Sequence, residues 1–335
     1  MRVAINGFGR IGRLVLRSAL EKNFKNIEFV AVNDITDTKT NAHLFKYDSN
    51  YGIYPGDVST GGKDITIDGK CLVVFSERNP ENIPWKELGV DVVVESTGVF
   101  TDGNKAKAHI TAGAKKVLIT APTTNEDATI ILGVNQSIYD PVRHNVISNA
   151  SCTTNCLAPM AKVMDDNFKI IKGLMTTIHS YTNDQHILDL PHKDLRRARA
   201  AAISSIPTTT GAAKAIGKVL PQLNGRMDGL SIRVPTSTVS IVDLVVEIEK
   251  RADKNTINET FKKASEKELK GILEYCDIPL VSKDFLKNPH SCIFDSLLTY
   301  VIDENFVKIF GWYDNEWASS NRVPDLLKFI MEKGI

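Results

Sequence analysis

Val3-Ala4-Ile5-Asn6-Gly7-Phe8-Gly9-Arg10-Ile11-Gly12-Arg13 is the stretch whose reading decides the fold. A short apolar run enters a G-x-G-x-x-G turn. Ile11, Leu14, Val15 and Ala19 then recur at helical spacing as far as Lys22. A second strand-like run, Ile27 to Asn33, ends at Asp34, the separation a dinucleotide-binding unit requires. Each glycine has a mechanical reason. Gly7 permits a tight turn, Gly9 lets backbone approach a pyrophosphate, and Gly12 lets helix lie close on strand. The helix start adds free N–H groups and the positive end of its dipole. A carboxylate at the end of the second strand accepts ribose hydroxyls and repels a 2′-phosphate, so Asp34 predicts NAD rather than NADP.

Working outward, Val90 to Glu95, Lys116 to Thr120, Thr129 to Gly133 and Val146 to Ser148 are apolar on consecutive residues. Such runs are buried on both faces, as in a parallel sheet covered by helices. Residues 1–150 are therefore expected to form a doubly wound, Rossmann-like α/β domain. The second half differs. Ile170 to Ser180, Leu230 to Pro235, Val239 to Glu249, Leu297 to Ile302 and Val307 to Trp312 are longer. Several alternate, as in Ser240-Ile241-Val242-Asp243-Leu244-Val245. That pattern predicts a mostly antiparallel sheet in an α+β domain over 151–320. Lys254 to Lys270 and Arg322 to Lys333 are expected to be helical, with a terminal helix over 321–335 packing back on the first domain.

At 335 residues the chain suits two domains, and 42% hydrophobic with 24% charged residues suits two packed cores. A net charge of +1 supplies no long-range field for nucleic acid or a membrane surface. No apolar run has the length of a bilayer span, and no signal peptide is visible. Five dispersed cysteines do not form a disulfide framework, so a reducing cytoplasm is expected.

Ser151-Cys152-Thr153-Thr154-Asn155-Cys156 lies between the run Val146 to Ser148 and the apolar helical run Leu157 to Met164. Cys152 thus falls near a helix N-terminus, where the dipole favours a thiolate. His179, ending Thr176-Thr177-Ile178-His179, offers a proton acceptor with an ordinary pKa near ~6.5. Cys156 follows one helical turn later and is read as packing. A Cys-x-x-x-Cys pair without a second ligand pair is not a zinc site, so no metal is expected. Arg197 sits in the basic cluster Leu195-Arg196-Arg197-Ala198-Arg199, and its guanidinium fork suits two phosphate oxygens. Thr208-Thr209-Thr210-Gly211 adds hydroxyls and an unhindered N–H. Arg233, in an otherwise apolar strand, needs a partner, either a substrate phosphate or a structural carboxylate.

Together these stretches resemble the glyceraldehyde-3-phosphate dehydrogenase family over essentially the whole chain. The specific pieces are Ile5 to Arg13, Ser148 to Cys156, His179-Ser180-Tyr181-Thr182, Leu195 to Arg199 and Trp312-Tyr313-Asp314-Asn315-Glu316. The resemblance implies Cys152 as catalytic thiol and His179 as its activator, with Ser151 and Thr153 against substrate. It implies Thr182 and Arg233 for the phosphate of glyceraldehyde 3-phosphate, and Arg197, Thr210 and Gly211 for inorganic phosphate. It implies Arg10, Ile11, Asp34, Arg78 and Thr120 as NAD contacts beside Gly7, Gly9 and Gly12, and Asn315 at the nicotinamide amide. A glycolytic homotetramer follows from the same likeness. Leu190-Pro191 resembles the pair of NAD-preferring members. Ala318-Ser319-Ser320 departs from the usual Gly-Tyr-Ser, and Thr236-Ser237-Thr238-Val239-Ser240 from Thr-Pro-x-Val-Ser. Two other readings remain. An erythrose-4-phosphate dehydrogenase of the same family would hydrolyse its thioester, and a non-catalytic NAD-binding interaction protein would lack the thiol, base or anion-binding residues.

Overall fold

The computed structural model describes residues 1–335 as two compact units. The first comprises Met1–Ile130, Ser137–Ala150 and Ser320–Ile335. Its strands are β1 (Arg2–Asn6), β2 (Glu28–Asn33), a small hairpin of β3 (Tyr47–Asp48) and β4 (Gly52–Ile53), then β5 (Val58–Gly61), β6 (Asp64–Ile67), β7 (Lys70–Phe75), β8 (Val92–Glu95), β9 (Lys116–Ile119), β10 (Ala128–Thr129) and β11 (Val146–Ser148). Nine of them form one sheet in the order β10-β11-β9-β8-β1-β2-β7-β6-β5. From β10 to β7 all pairs are parallel, with Ile5 opposite Val94 and Val32. Val3, Ile5, Val32, Val92, Val93 and Val94 are fully buried, which is why their runs do not alternate. Each such side chain contributes about 1.5–3 kcal/mol by leaving water. Helices α1 (Arg10–Lys22), α2 (Thr38–Lys46), α3 (Gly103–Ala106) and α4 (Ala108–Thr111) complete the crossovers.

The second unit comprises Ile131–Gln136 and Ser151–Ser319. It contains β12 (Ile170–Ser180), β13 (Ile206–Thr209), β14 (Met227–Val234), β15 (Ser240–Ile248), β16 (Leu273–Cys276), β17 (Cys292–Asp295), β18 (Tyr300–Ile302) and β19 (Phe306–Tyr313). Their order is β13-β14-β12-β15-β19-β17-β16, with β18 on β19. Pairing is antiparallel except for β12 with β14 and β16 with β17. β15 buries every second residue from Ser240 to Ile248, the alternation seen in its sequence. Helices α5 (Cys152–Phe168), α6 (Ala212–Val219) and α7 (Lys254–Glu266) belong to this unit. Helix α8 (Trp317–Lys333) passes into the first unit at Ser320. There Lys22 donates to Asn321 O and Asp325.

Several expected elements are corrected. The run Thr129 to Gly133 is strand only over Ala128–Thr129, because Asn135 Oδ1 takes the Ile131 amide and turns the chain. Asp295 accepts from Leu297 N, so Leu297 lies in a short 3-10 turn and the strand begins at Tyr300. Helix α7 stops at Glu266 rather than Lys270, where Lys267 leaves helical geometry. The first sheet is not wholly parallel, since β5 and β6 add an antiparallel edge.

Candidate active site

Cys152 is the first residue of α5, and Ser151 is its N-cap. Ser151 Oγ accepts from Thr154 N at 3.0 Å, so this hydroxyl caps the helix. Ala150 before it holds φ +56°, a left-handed conformation that costs a non-glycine residue energy. The parallel register of β12 and β14 sets His179 beside Arg233 and Ser180 beside Val234. These elements place Cys152 Sγ 3.4 Å from His179 Nε2.

The histidine tautomer follows from its neighbours. Nδ1 lies 2.6 Å from Ser180 O, so Nδ1–H donates there and the Nε2 lone pair faces the thiol. Burial first, then the Arg233 guanidinium, lowers His179 to about 3. The imidazole is therefore neutral and able to accept a proton. Cys152 retains some exposure to solvent, yet protein surrounds its sulfur. Burial pushes its thiol up, against the opposing pull of Arg233 and of Thr153 and the amides at the helix start. Burial thus opposes the preference for thiolate that the helix start and Arg233 supply.

Tyr313, buried, braces this pair. Its hydroxyl lies 2.8 Å from Thr153 Oγ1 and 2.9 Å from Thr177 Oγ1, and its ring meets His179 edge-on at 6.0 Å. Thr153 is consequently engaged through its side chain. Arg233 Nη1 donates to Thr182 Oγ1 at 2.8 Å and Ser180 O at 3.3 Å, while its buried Nε has no hydrogen-bond partner. Thr182 Oγ1 donates to Asp184. Arg197 Nη1 donates to the same Asp184 at 2.6 Å, its Nε to Thr208 at 2.9 Å and its Nη2 to Thr209 O at 3.1 Å. Burial alone would raise the Asp184 carboxyl, but Thr182, Arg233 and Arg197 hold it below the usual range. Thr210 and Gly211 follow directly, Gly211 capping α6 with open space where a side chain would stand. Asn315 Oδ1 accepts from Ser180 Oγ at 2.7 Å and Ser240 Oγ at 3.0 Å, which orients its NH2 as a donor.

Asp184, Tyr313 and Ser240 were given no role by the residue-by-residue reading, and Thr208 was read only as one of a run of hydroxyls. The pairing of β12 with β15 and of β15 with β19 carries Ser240 and Tyr313 to the strand that bears His179, and no local pattern signals that.

In the first unit, Gly7 has φ +90°, and a Cβ there would meet Thr97 N at 2.6 Å. A Cβ on Gly12 would lie 2.2 Å from Gly7 O. Gly9, the N-cap of α1, has open space and no side-chain cap, so the turn offers backbone to a ligand. Asp34 follows β2, with Oδ2 accepting from Phe8 N at 2.8 Å and Oδ1 from Thr36 N at 2.9 Å. One oxygen lone pair on each side remains for a ribose hydroxyl. Arg10 pairs with Asp48 at 3.3 Å, Thr120 donates its amide to Glu95 O at 3.0 Å, and Arg78 is exposed. Ile11 lies in the first turn of α1. This cradle fits a dinucleotide with a free 2′-hydroxyl.

Comparison with known proteins agrees with this chemistry. Residues 1–103 match the pattern described as glyceraldehyde 3-phosphate dehydrogenase, NAD binding domain, and residues 151–315 match its C-terminal domain. Glyceraldehyde-3-phosphate dehydrogenase 2 of Streptomyces avermitilis is 61% identical over 330 residues, with 98% of each chain covered. The glyceraldehyde-3-phosphate dehydrogenase of Geobacillus stearothermophilus is 58% identical over 335 residues, covering 100% of this chain and 99% of that one. The Mycobacterium tuberculosis protein of the same name is 57% identical, with 98% of each covered.

Proposed function

The chain belongs to the glyceraldehyde-3-phosphate dehydrogenase family, and on that premise we propose how its own residues divide the work. The activity is NAD-dependent oxidation of glyceraldehyde 3-phosphate, with inorganic phosphate, to 1,3-bisphosphoglycerate. When bound, NAD supplies the hydride acceptor, and Gly7, Gly9, Arg10, Ile11, Gly12, Asp34, Arg78, Thr120 and Asn315 are assigned to hold it.

Cys152 attacks the aldehyde carbon while His179 Nε2 takes the thiol proton. The imidazolium returns that proton to the new oxyanion, giving a thiohemiacetal on Cys152. Nε2 then accepts the hydroxyl proton as the carbon is oxidised to a thioester. Inorganic phosphate attacks the thioester carbon, and the Cys152 sulfur leaves with the product acyl phosphate released. Amides at the start of α5 and the protonated His179 stabilise the tetrahedral oxyanions. Arg233, with its unpartnered Nε, and Thr182 hold the substrate phosphate. Arg197, Thr210 and Gly211 hold the attacking phosphate, and Ser151 and Thr153, which flank the thiol, contact the substrate.

The observation that carries this reading is the 3.4 Å approach of Cys152 Sγ to the unprotonated nitrogen of His179. The test is NADH formation from glyceraldehyde 3-phosphate with and without phosphate. Dependence on phosphate is expected. Equal rates in its absence would favour the hydrolytic erythrose-4-phosphate reading.

We also propose a homotetramer. Leu174, Leu230 and Phe306, exposed on one sheet of the second unit, support it. Cytoplasmic residence is supported by five free cysteines, and no helix is long and apolar enough to cross a membrane.

A further inference from the structure

We propose that Glu95, with His109, is a positioning residue that sets the geometry of the whole dinucleotide site. The proposal deepens the reading above and rests on Gly7, Asp34, Arg78 and Thr120 being cofactor contacts.

Glu95 is the last residue of β8 and is almost wholly buried. A buried carboxylate is tolerated only when its oxygens are well supplied with donors. Here Oε1 accepts from Thr97 N at 2.8 Å and Thr97 Oγ1 at 2.5 Å. Oε2 accepts from Asn6 Nδ2 at 2.5 Å and faces His109 Nε2 at 3.0 Å. Trp85 Nε1–H donates to His109 Nδ1 at 3.1 Å. An accepting Nδ1 carries no proton, so Nε2 carries it and donates to Glu95. Every donor around the carboxylate therefore has a fixed direction.

The network then reaches three cofactor positions through their immediate neighbours and a fourth, Thr120, directly. Asn6 precedes Gly7, and its Oδ1 accepts from Asn33 Nδ2 at 2.7 Å. Asn33 precedes Asp34, and its Oδ1 accepts from Glu77 N at 2.8 Å. Glu77 precedes Arg78. Thr97, tied to the carboxylate, is the residue against which Gly7 packs without a Cβ. The main-chain carbonyl of Glu95 accepts from Thr120 N and Oγ1. The Glu95 side chain and carbonyl, extended through the Asn6 and Asn33 side chains, thus connect the C-terminal ends of β1, β2, β7, β8 and β9, the end of a parallel sheet where ligands bind. Ordinary core packing does not require a charged group at that point.

The test is NAD binding by calorimetry on the full chain. Glu95→Gln keeps shape, but its NH2 meets a donor in either orientation, Asn6 Nδ2 and His109 Nε2 on one side or the Thr97 amide on the other. NAD affinity is expected to fall about 10- to 100-fold, and the KM for NAD to rise with kcat nearly unchanged. Alkylation of Cys152 without NAD should keep its wild-type rate. Adding Asn6→Asp to Glu95→Gln exchanges donor for acceptor and is expected to restore part of the affinity. Should Glu95→Gln fail to fold, Trp85→Phe frees the His109 tautomer with a milder change. It is expected to weaken NAD roughly three- to tenfold. Wild-type affinity in the variant that folds, or no rescue by Asn6→Asp, overturns the proposal. Asp34→Gly separates the two readings. If it also leaves NAD binding intact, the cofactor-site assignment fails. If it weakens binding while Glu95→Gln does not, only the positioning role fails.

Discussion

The dinucleotide turn of the first unit and the thiol centre of the second both handle anionic molecules, with opposite materials. The turn is mostly backbone: Gly7 at φ +90°, Gly12 pressed on Gly7 O, and a helix start without a side-chain cap. Its acid, Asp34, is held by two amides. The thiol centre is mostly side chain, with Arg233, Arg197 and Asp184 around the Cys152–His179 pair. A site made of backbone carries little charge of its own, and where backbone presses on backbone, as at Gly7 and Gly12, it tolerates no added atom. A site made of side chains is set by fields, and each charge there shifts its neighbours' protons.

Three substitutions press on this contrast. Cys152→Ser should abolish dehydrogenase activity and leave calorimetric NAD affinity nearly intact, since the turn owes nothing to the sulfur. Residual wild-type turnover would end the assignment. His179→Asn should lower kcat by about 10²–10⁴, the range for a lost general base, and slow Cys152 alkylation at neutral pH. An unchanged alkylation rate would show that the imidazole does not take the thiol proton. Gly12→Ala puts a carbon 2.2 Å from Gly7 O, so backbone must shift. A stability loss of about 1–3 kcal/mol and weaker NAD binding are expected by thermal melting and calorimetry. Wild-type values for both would mean that the turn is not tightly built.

The smallest effect concerns acid. His179 has a folded value of about 3 against an ordinary 6.5. Between those values the unfolded chain holds the proton and the folded chain does not. Stability from this group therefore falls as pH drops below about 6.5, by up to about 1.4 kcal/mol per pH unit. Thermal melts of His179→Asn and wild type at pH 7 and pH 5 should show a shallower acid decline in the variant. Parallel declines would mean that the imidazole is not buried neutral.

The same contrast governs what could be read beforehand. β1, the turn and α1 were legible because glycine spacing and helical periodicity are local. β12 was legible from end to end because apolar and β-branched residues recur along all of its length. β5, β6, β16 and β17 were not, being four-residue strands whose partners, not composition, make them strands. Cys152 and His179 stood out through helix position and residue type. Asp184 and Ser240 did not, because their roles exist only once distant strands pair. Glu95 read as the end of an apolar strand, with no sign that donors would converge on it.

Asp184 has one further consequence. Arg197 and Thr182 bind it directly, and its charge also acts on Arg233, so the two proposed phosphate grips lean on a common counter-ion. A lineage that retunes either arginine redistributes that negative charge onto the other. Preference for the sugar's own phosphate and appetite for the incoming one must then drift together, and neither can be evolved alone while this acid remains.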